Sequence, residues 1–595
     1  MQEVKPIVYQ ALKDIPERVV SEGSMLWNKT GDWRYLKPSY KNALPPCNQG
    51  CPAGNDIEGF ISLAAAGKFE EAWQLLMEEN PFPAVCGRVC YHPCENVCNR
   101  ADFDHSLAVH TLERFVADQT ADKNLPLLDI SDSGKSVAVI GSGPAGLSAA
   151  YHLVRMGHSV IVFEAQPLPG GLLRYGIPEY RLPKQILDRE IETIRRQGVE
   201  IVCNCSIGQQ MKWQELQEFN AIFVSVGAHQ NRKLGIPGED LPNIIPALSL
   251  LKTVTRNKLT QLGPSTVVIG GGNAAIDAAR TALRLGSEVS IYYQRSRREM
   301  PAFTEELEEC EREGAKIYTL SQPVRILSGS ENVLEIVMRK TKLGEVDESG
   351  RQRPVPVPDS EFKIIANTFI SAIGETTALD FLPAEIQTLN GRIKISTEGL
   401  TNLNGVFSGG DSALSTHDVA TAIGSGKAAA CAIDTWLSGS NQANELKSCR
   451  IGNTGAVSVT NYLNLLTKHK LFQDNRAHTK SKLNKKVVET SDLNLNYFEI
   501  KSREKIQKIE ILKRLQGFLE VDNGFSETNA KKEASRCFHC GVCTDCDNCY
   551  VYCPDVAIEK NNSQKGGYTI NLDYCKGCGV CVYECPRSAM IMEKE

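Results

Sequence analysis

Several features are scarce or missing in this 595-residue chain, and each absence removes a class of function. No stretch approaches the 18 or so apolar residues of a membrane-spanning helix, so no membrane span is predicted. Basic charge is not in excess. With 66 Lys and Arg against 71 Asp and Glu, the net charge of −5 offers nucleic acid no electrostatic footprint. The opening MQEVKPIVYQALKDIPERVV mixes acids and bases and has no apolar h-region, so no secretory signal is expected. Cysteine is absent before Cys47 and between Glu164 and Cys203. The second gap argues against a disulfide reductase, which needs a redox-active C-x-x-C beside its flavin. Cys203-x-Cys205 falls in an expected strand, where positions i and i+2 share a face, and burial explains it.

Cysteine is otherwise abundant. Of 21 in the chain, sixteen fall into two groups at short spacings. Without a secretory signal, such spacing indicates metal ligation in a reducing cytoplasm rather than a disulfide framework. The N-terminal group is Cys47-x3-Cys51-Pro, then Cys86-x3-Cys90-x3-Cys94-x3-Cys98. Between its halves, Ile57, Phe60, Ile61, Ala64, Phe69, Ala72, Trp73 and Leu76 recur at helical spacing, so helices bring the two halves together. Thiolates are soft ligands suited to iron–sulfur clusters or zinc, and spacing alone leaves a zinc knot open.

The C-terminal group is more specific. Cys543-x2-Cys546-x2-Cys549-x3-Cys553-Pro554 is followed by Cys575-x2-Cys578-x2-Cys581-x3-Cys585-Pro586. This is the bacterial two-cluster ferredoxin pattern, in which the fourth cysteine of each run ligates the other cluster. One [4Fe–4S] is therefore expected on Cys543, Cys546, Cys549 and Cys585, and a second on Cys575, Cys578, Cys581 and Cys553. Cys537 and Cys540 continue the every-third spacing upstream and are left over, either as spare thiols or as a shift of register.

The middle of the chain carries two nucleotide folds. Ser136 to Glu164 reads as strand, Gly141-Ser142-Gly143-Pro144-Ala145-Gly146 turn, helix and second strand. In this pattern Gly141 permits the tight turn, Gly143 lets the backbone approach a pyrophosphate, and Gly146 lets helix pack on strand. The helix N-terminus offers free N–H groups to phosphate. Glu164, 23 residues after Gly141, stands where a carboxylate accepts the ribose hydroxyls. The second fold opens at Thr266 with Gly270-Gly271-Gly272-Asn273-Ala274-Ala275, a G-x-G-x-x-A variant. Its second strand ends in Gln294-Arg295-Ser296-Arg297-Arg298. Arginines there suit the 2′-phosphate of NADP through charge-assisted bonds, with a solvated basic loop as the plain alternative.

The motifs PPCNQGCPAG, NPFPAVCGRVCYHPCENVCNR and LERF resemble the N-terminal cluster domain of the glutamate synthase small subunit and its relatives, dihydropyrimidine dehydrogenase among them. That family carries a further C-x-x-C just before the position of Cys47 and holds two [4Fe–4S] clusters there. This chain lacks it, so one cluster is depleted. The resemblance implies that Cys51, Cys90 and Cys94, with Glu113 of LERF as a carboxylate ligand, hold the surviving cluster. It matches Cys47 and Cys98 to the depleted one, with membership of the surviving cluster as the alternative; for Glu113 the alternative is a solvated helix carboxylate. The same family runs the loop Pro169-Gly170-Gly171-Leu172 past FAD, with the positions of Leu172 and Arg181 touching it. In two-dinucleotide flavoproteins the position of Asp411, in Gly409-Gly410-Asp411, contacts FAD; a helix cap is the alternative.

The predicted fold class is multidomain α/β. It comprises a helical iron–sulfur domain (1–130), a discontinuous Rossmann-like FAD domain (131–255 and 375–438) and a Rossmann-like NAD(P) domain (256–374). A connector with one or two helices (439–530) leads to an α+β ferredoxin-like domain (531–595). Hydrophobic residues at 42% are ample for several cores. The expected function is an iron–sulfur flavoprotein exchanging electrons between NADP(H) or NAD(H), FAD, [4Fe–4S] clusters and a redox protein partner. The resemblance implies that partner to be ferredoxin, a 2-oxoacid or benzoyl-CoA pathway enzyme, or dissimilatory sulfite reductase. The runners-up are a small subunit of NADPH-dependent glutamate synthase and a non-enzymatic metal-stabilised scaffold. Oligomeric state, a homodimer included, is left open.

Overall fold

The computed structural model describes residues 8–15, 29–127, 130–256, 258–329, 333–347, 350–439, 443–465, 485–561 and 567–595. Most of the opening segment read for a secretory signal lies outside them. Among the described residues, no helix is long and apolar enough to cross a membrane.

Two parallel five-stranded sheets form the centre. In the first, Ser136–Ile140 lies between Ser159–Phe163 and Ala221–Val224, with Glu200–Val202 and Val406–Ser408 at the edges. Val137, Ala138 and Val139 are wholly buried, because helices or loops cover both faces of a parallel sheet. The strands beside Ser136–Ile140 depart in opposite directions, which opens a crevice at its C-terminal end. The second sheet repeats this plan around Ser265–Ile269, flanked by Glu288–Tyr292 and Thr368–Ser371, with Lys316–Tyr318 and Ile244–Pro246 outermost.

Helix Val419–Leu437, capped by the Asp418 side chain on the Thr421 N–H, packs on helix Pro144–Val154 of the first turn. Two glycines permit this approach. A Cβ on Gly426 would stand 2.0 Å from the Ala145 carbonyl oxygen, and one on Gly424 would stand 2.0 Å from that of Pro52. The second contact reaches the N-terminal helices, whose apolar core (Phe60, Ile61, Leu76, Leu112, Val116) runs without a break into that of the first sheet. The helical spacing of 57–76 resolves into two helices, Ile57–Ala65 and Phe69–Glu79, separated at Gly67, whose φ of +75° a helix cannot continue.

Three features were not anticipated. A three-stranded antiparallel sheet, Ser321–Ser328, Leu334–Val346 and Gln352–Ala366, projects from the second parallel sheet. Strand Leu36–Tyr40 pairs antiparallel with Met590–Lys594, so the two ends of the chain interlock. The connector, expected to hold one or two helices, has short helices at Ala443–Ser448, Val459–Leu465 and Ile511–Leu515, and beyond 485 it is otherwise mostly irregular, with 3-10 turns at Thr490–Asp492 and Leu495–Tyr497. It follows the N-terminal helices closely: Arg503 donates to Glu95, and Arg100 donates to the Glu499 carbonyl.

Candidate functional site

Both glycine-rich turns open on one cleft of about 1260 Å³. That is more than a single small-molecule pocket needs and is suited to two dinucleotides. Gly141, Gly143, Pro144, Ala145, Glu164, Gly171, Leu172, Gly410 and Asp411 line one side. Gly270, Gly272, Asn273, Ala274 and Arg295 line the other. A Cβ on Gly143 would meet nothing within 4 Å, so the backbone there is open to the cleft. Gly146 and Ala275 lie beneath the turns: a Cβ on Gly146 would stand 2.0 Å from the Gly141 carbonyl oxygen, the close helix–strand packing that the motif predicts.

Local hydrogen bonds set the polar groups. Glu164 Oε2 accepts from the Ser142 N–H (3.0 Å) and hydroxyl, and Oε1 accepts from the Gln166 N–H (2.7 Å). The carboxylate is thereby fixed at the strand end. Asp411 pairs with His417 Nδ1 at 3.3 Å, and that bond pushes the imidazole pKa up from its ordinary value. Arg295 is held by Asp347 (2.8 Å) and the Gln352 carbonyl (2.8 Å), both supplied by the projecting sheet. Arg351, from the same region, also lines the cleft. Sequence reading missed Arg351 because it lies 56 residues beyond Arg295, outside the strand-end motif. Arg297 is turned away and pairs with Glu311 on the surface.

Two positions differ from expectation. Arg181 is not among the residues lining the cleft. Its guanidinium grips both oxygens of Asp277 (3.0 and 2.9 Å) and approaches Glu306 at 3.4 Å, clamping the loop onto helix Asn273–Arg284. The strand expected to bury Cys203 and Cys205 ends at Val202; both thiols are partly exposed, and Cys205 lines the cleft.

Sixteen of the 21 cysteines gather in four places, and none of them forms a disulfide. Cys51, Cys86, Cys90, Cys94 and Glu113 line one small cavity. Glu113 is buried rather than solvated. Burial pushes its carboxyl up to about 8, although Oε1 accepts from the Asn55 (2.9 Å) and Asn80 (3.1 Å) amides. This cavity adjoins the cleft. Val89 and Tyr91 line the cleft while Cys90 between them lines the cavity; Val419 and Ala422 line the cleft while Ala420 lines the cavity. The two spaces therefore share the segments 89–91 and 419–422 as a common wall. Tyr91 is fixed there by the Asn273 amide, which donates to its hydroxyl at 2.7 Å, and by stacking on Phe303.

In the C-terminal module, Cys543, Cys546, Cys549 and Cys585 line one cavity, and Cys553, Cys575, Cys578 and Cys581 line another. These are the two sets that the ferredoxin spacing brings together. The Ala557 and Ala589 N–H groups donate to Cys553 and Cys585 sulfurs, each at 3.3 Å, as suits thiolates. Cys47 and Cys98 join neither these cavities nor the one holding Cys90. Burial, and after it the neighbouring thiols of Cys98, Cys537 and Cys540, pushes the Cys47 thiol far up.

Family models match three stretches: "Pyridine nucleotide-disulphide oxidoreductase" over 135–433, "Dihydropyrimidine dehydrogenase domain II, 4Fe-4S cluster" over 40–125, and "4Fe-4S binding domain" over 568–591. The chain is 35% identical to the NADP(+)-dependent formate dehydrogenase subunit beta of Moorella thermoacetica, over 83% of this chain and 70% of that protein. It is 33% identical to the NADPH-Fe(3+) oxidoreductase subunit beta of Geobacter sulfurreducens, over 83% and 75%. The glutamate synthase [NADPH] small chain of Halomonas elongata is 33% identical over 66% of this chain and 88% of its own length. The chain belongs to the pyridine nucleotide-disulphide oxidoreductase family and, with an iron–sulfur module at each end, is an NAD(P)H-dependent iron–sulfur flavoprotein oxidoreductase.

Proposed function

We propose that the chain is the NADPH-linked electron-transfer subunit of a larger cytoplasmic redox assembly, exchanging electrons with a protein partner, either a ferredoxin or a redox-enzyme subunit. The observation that carries this reading is the wall that the dinucleotide cleft shares with the cavity of Cys51, Cys90, Cys94 and Glu113, built from segments 89–91 and 419–422. The chemistry that bound FAD and [4Fe–4S] clusters would supply is hydride acceptance from the nicotinamide and onward transfer of single electrons.

The chain's own residues supply binding and alignment. The Gly141–Gly146 turn and Asp411 would hold the flavin dinucleotide, and Glu164 its ribose. The Gly270–Ala275 turn would hold the nicotinamide dinucleotide, and Arg295 with Arg351 would receive a 2′-phosphate, favouring NADP(H). Cys51, Cys90, Cys94 and Glu113 would ligate the cluster nearest the cleft. The ferredoxin-like module would hold two more on Cys543, Cys546, Cys549 and Cys585, and on Cys553, Cys575, Cys578 and Cys581. Cys578 is exposed, so the last of these would lie at the surface, within reach of a docked partner. The functional units would be 1–130, 131–255 with 375–438, 256–374 and 531–595, with 439–530 as the strap between them. Both relatives quoted at 83% coverage are named as beta subunits, which supports a partner chain.

The test is anaerobic isolation with flavin and iron analysis, then reduction of a viologen and of ferredoxin by NADPH and by NADH, with co-purification to name the partner. Bound FAD, iron and NADPH-driven reduction are expected. Protein without flavin or iron, or flavin that NADPH leaves oxidised, overturns the proposal.

A further inference from the structure

The thiols left over in the ferredoxin pattern and those left over at the N-terminus meet in space. Cys47 opens helix Pro46–Gly50, which also leads to Cys51; Cys98 follows Cys94 by four residues. Cys537 and Cys540 follow helix Glu527–Ala534, more than 400 residues later. Several contacts join these segments. His539 Nδ1 lies 2.7 Å from Glu58 Oε1, and the Glu58 N–H donates to Asn48 Oδ1 beside Cys47. The Asn99 amide, next to Cys98, lies 3.5 Å from the Cys540 sulfur and donates to the Val488 carbonyl at 3.0 Å. The Ala43 N–H donates to the Gly541 carbonyl at 2.8 Å. Helix Pro46–Gly50 packs on the segment leading to Cys98 so closely that a Cβ on Gly50 would stand 2.6 Å from a Val97 methyl.

We propose that Cys47, Cys98, Cys537 and Cys540 ligate a fourth [4Fe–4S] cluster, built jointly by the N-terminal helices and the segment preceding the ferredoxin-like module. This extends the proposed function and rests on its premise that the chain carries iron–sulfur clusters. The Cys537-x2-Cys540 pair takes the place of a C-x-x-C that is missing before Cys47. Four thiols converge with no disulfide between them, and Cys540 and Cys47 are tied to buried frameworks from opposite ends of the chain. The His539 N–H donates to the Cys537 sulfur at 3.4 Å, as the His92 N–H does to Cys90 at 3.3 Å in the neighbouring cavity. A zinc tetrahedron holds its sulfurs about 3.8 Å apart at Zn–S near 2.3 Å. Among the described residues no three cysteine sulfurs lie within 4.8 Å of one another, which favours the wider cubane.

Position gives the site its use. Cys47 and Cys98 are each four residues from a thiol of the cavity beside the cleft, and Cys540 is three residues from Cys543 of the ferredoxin-like module. The joint site therefore stands between the two, and closes the gap in an otherwise interrupted row of clusters.

The test compares anaerobically isolated full-length protein with Cys537→Ser/Cys540→Ser and, as a control, Cys578→Ser. The wild type should carry about 16 iron and 16 sulfide per chain. The double variant should lose about one quarter of both and one spin from fully reduced EPR spectra, with FAD content and NADPH bleaching of the flavin unchanged. Slow reduction of the remaining ferredoxin-like clusters by NADPH is the second expected readout. Wild type with about 12 irons and flavin intact overturns the fourth cluster alone, as does one zinc per chain replacing the missing iron. If the double variant fails to fold, Mössbauer quantification of the wild type decides between three and four clusters. Protein with no iron at all overturns the underlying reading instead.

Discussion

The Asn273 side-chain amide donates to the Tyr91 hydroxyl across 2.7 Å, joining the nicotinamide-side glycine turn to the loop that carries Cys90. Asn273 Oδ1 simultaneously accepts from the Phe303 N–H, so the amide's orientation is set from both ends. Burial pushes the Tyr91 phenol up to about 12, and it stays neutral throughout the working pH range. Tyr91→Phe keeps the stacking on Phe303 but leaves Asn273 one partner short. The loss of one such bond is about 0.5–1.5 kcal/mol. NADPH KM should rise about 2- to 10-fold in viologen reduction, with iron and flavin content unchanged; an unaltered KM would show that the contact does not hold the turn.

Coenzyme choice should reside in Arg295. Its guanidinium is already oriented by Asp347 and the Gln352 carbonyl, so little ordering remains when a 2′-phosphate arrives. Hydrogen bonds to charged groups contribute about 1.5–3 kcal/mol. Arg295→Ala should therefore lower kcat/KM for NADPH by about 10- to 100-fold and leave the value for NADH nearly unchanged. Equal losses with both coenzymes would place the residue in general binding rather than in selection.

The joint between modules should titrate. Glu79 accepts from Lys427 Nζ (2.6 Å), the Ser458 hydroxyl (2.6 Å) and the Val459 and Thr460 N–H groups. Burial alone would raise its pKa, but the Lys427 ammonium and the hydrogen-bond donors outweigh it and hold the carboxyl below 4.5. A depressed carboxylate pKa means that the folded state binds fewer protons than the unfolded one. Its stabilisation is complete above about pH 4.5 and is lost as pH falls through the folded value. Glu79→Gln should cost about 3–5 kcal/mol at neutral pH, by leaving the wholly buried Lys427 unpaired. It should also flatten the acid limb of the stability curve, measured by thermal unfolding between pH 3 and 7.

What the sequence made legible follows from how local each signal is. Gly141, Gly143, Gly270 and Gly272 act through backbone geometry within one turn, and all four line the cleft as their spacing predicts. The cysteines of the ferredoxin-like module fall within 43 residues, and their interleaved sets assemble accordingly. Cys537 and Cys540 defied local reading because the thiols they face lie more than 400 positions away. Only the interlock of Leu36–Tyr40 with Met590–Lys594, and the strap following the N-terminal helices, reveals that proximity. Arg181 failed for another reason. Its motif fixes a loop near the flavin side, but two acids on the facing nucleotide fold, Asp277 and Glu306, capture the side chain.

Four cysteines and Glu113 line the cavity beside the cleft together with His92 and His110, whose Nδ1 atoms are engaged by the Cys90 carbonyl and Glu95. A cubane needs four ligands, so beside Cys51, Cys90 and Cys94 it is Cys86 and Glu113 that compete for the fourth position. Two observations favour Glu113. The Asn55 and Asn80 amides hold Oε1 in place, an arrangement that orients a carboxylate as outer-shell donors orient metal ligands. Cys86 lies within helix Pro83–Val89, where its backbone carbonyl receives the Cys90 N–H, and it is more deeply buried, at 2% exposure, than Cys51 at 7% or Cys94 at 6%. Cys86→Ser should therefore keep the full complement of iron. Glu113→Ala should lose about one quarter of it and slow the reduction of every other cluster by NADPH. Glu113→Gln, which retains one oxygen at the same reach, should keep the iron while shifting the cluster's EPR signal. Loss of iron from Cys86→Ser together with an unchanged spectrum in Glu113→Gln would assign the ligand to the cysteine.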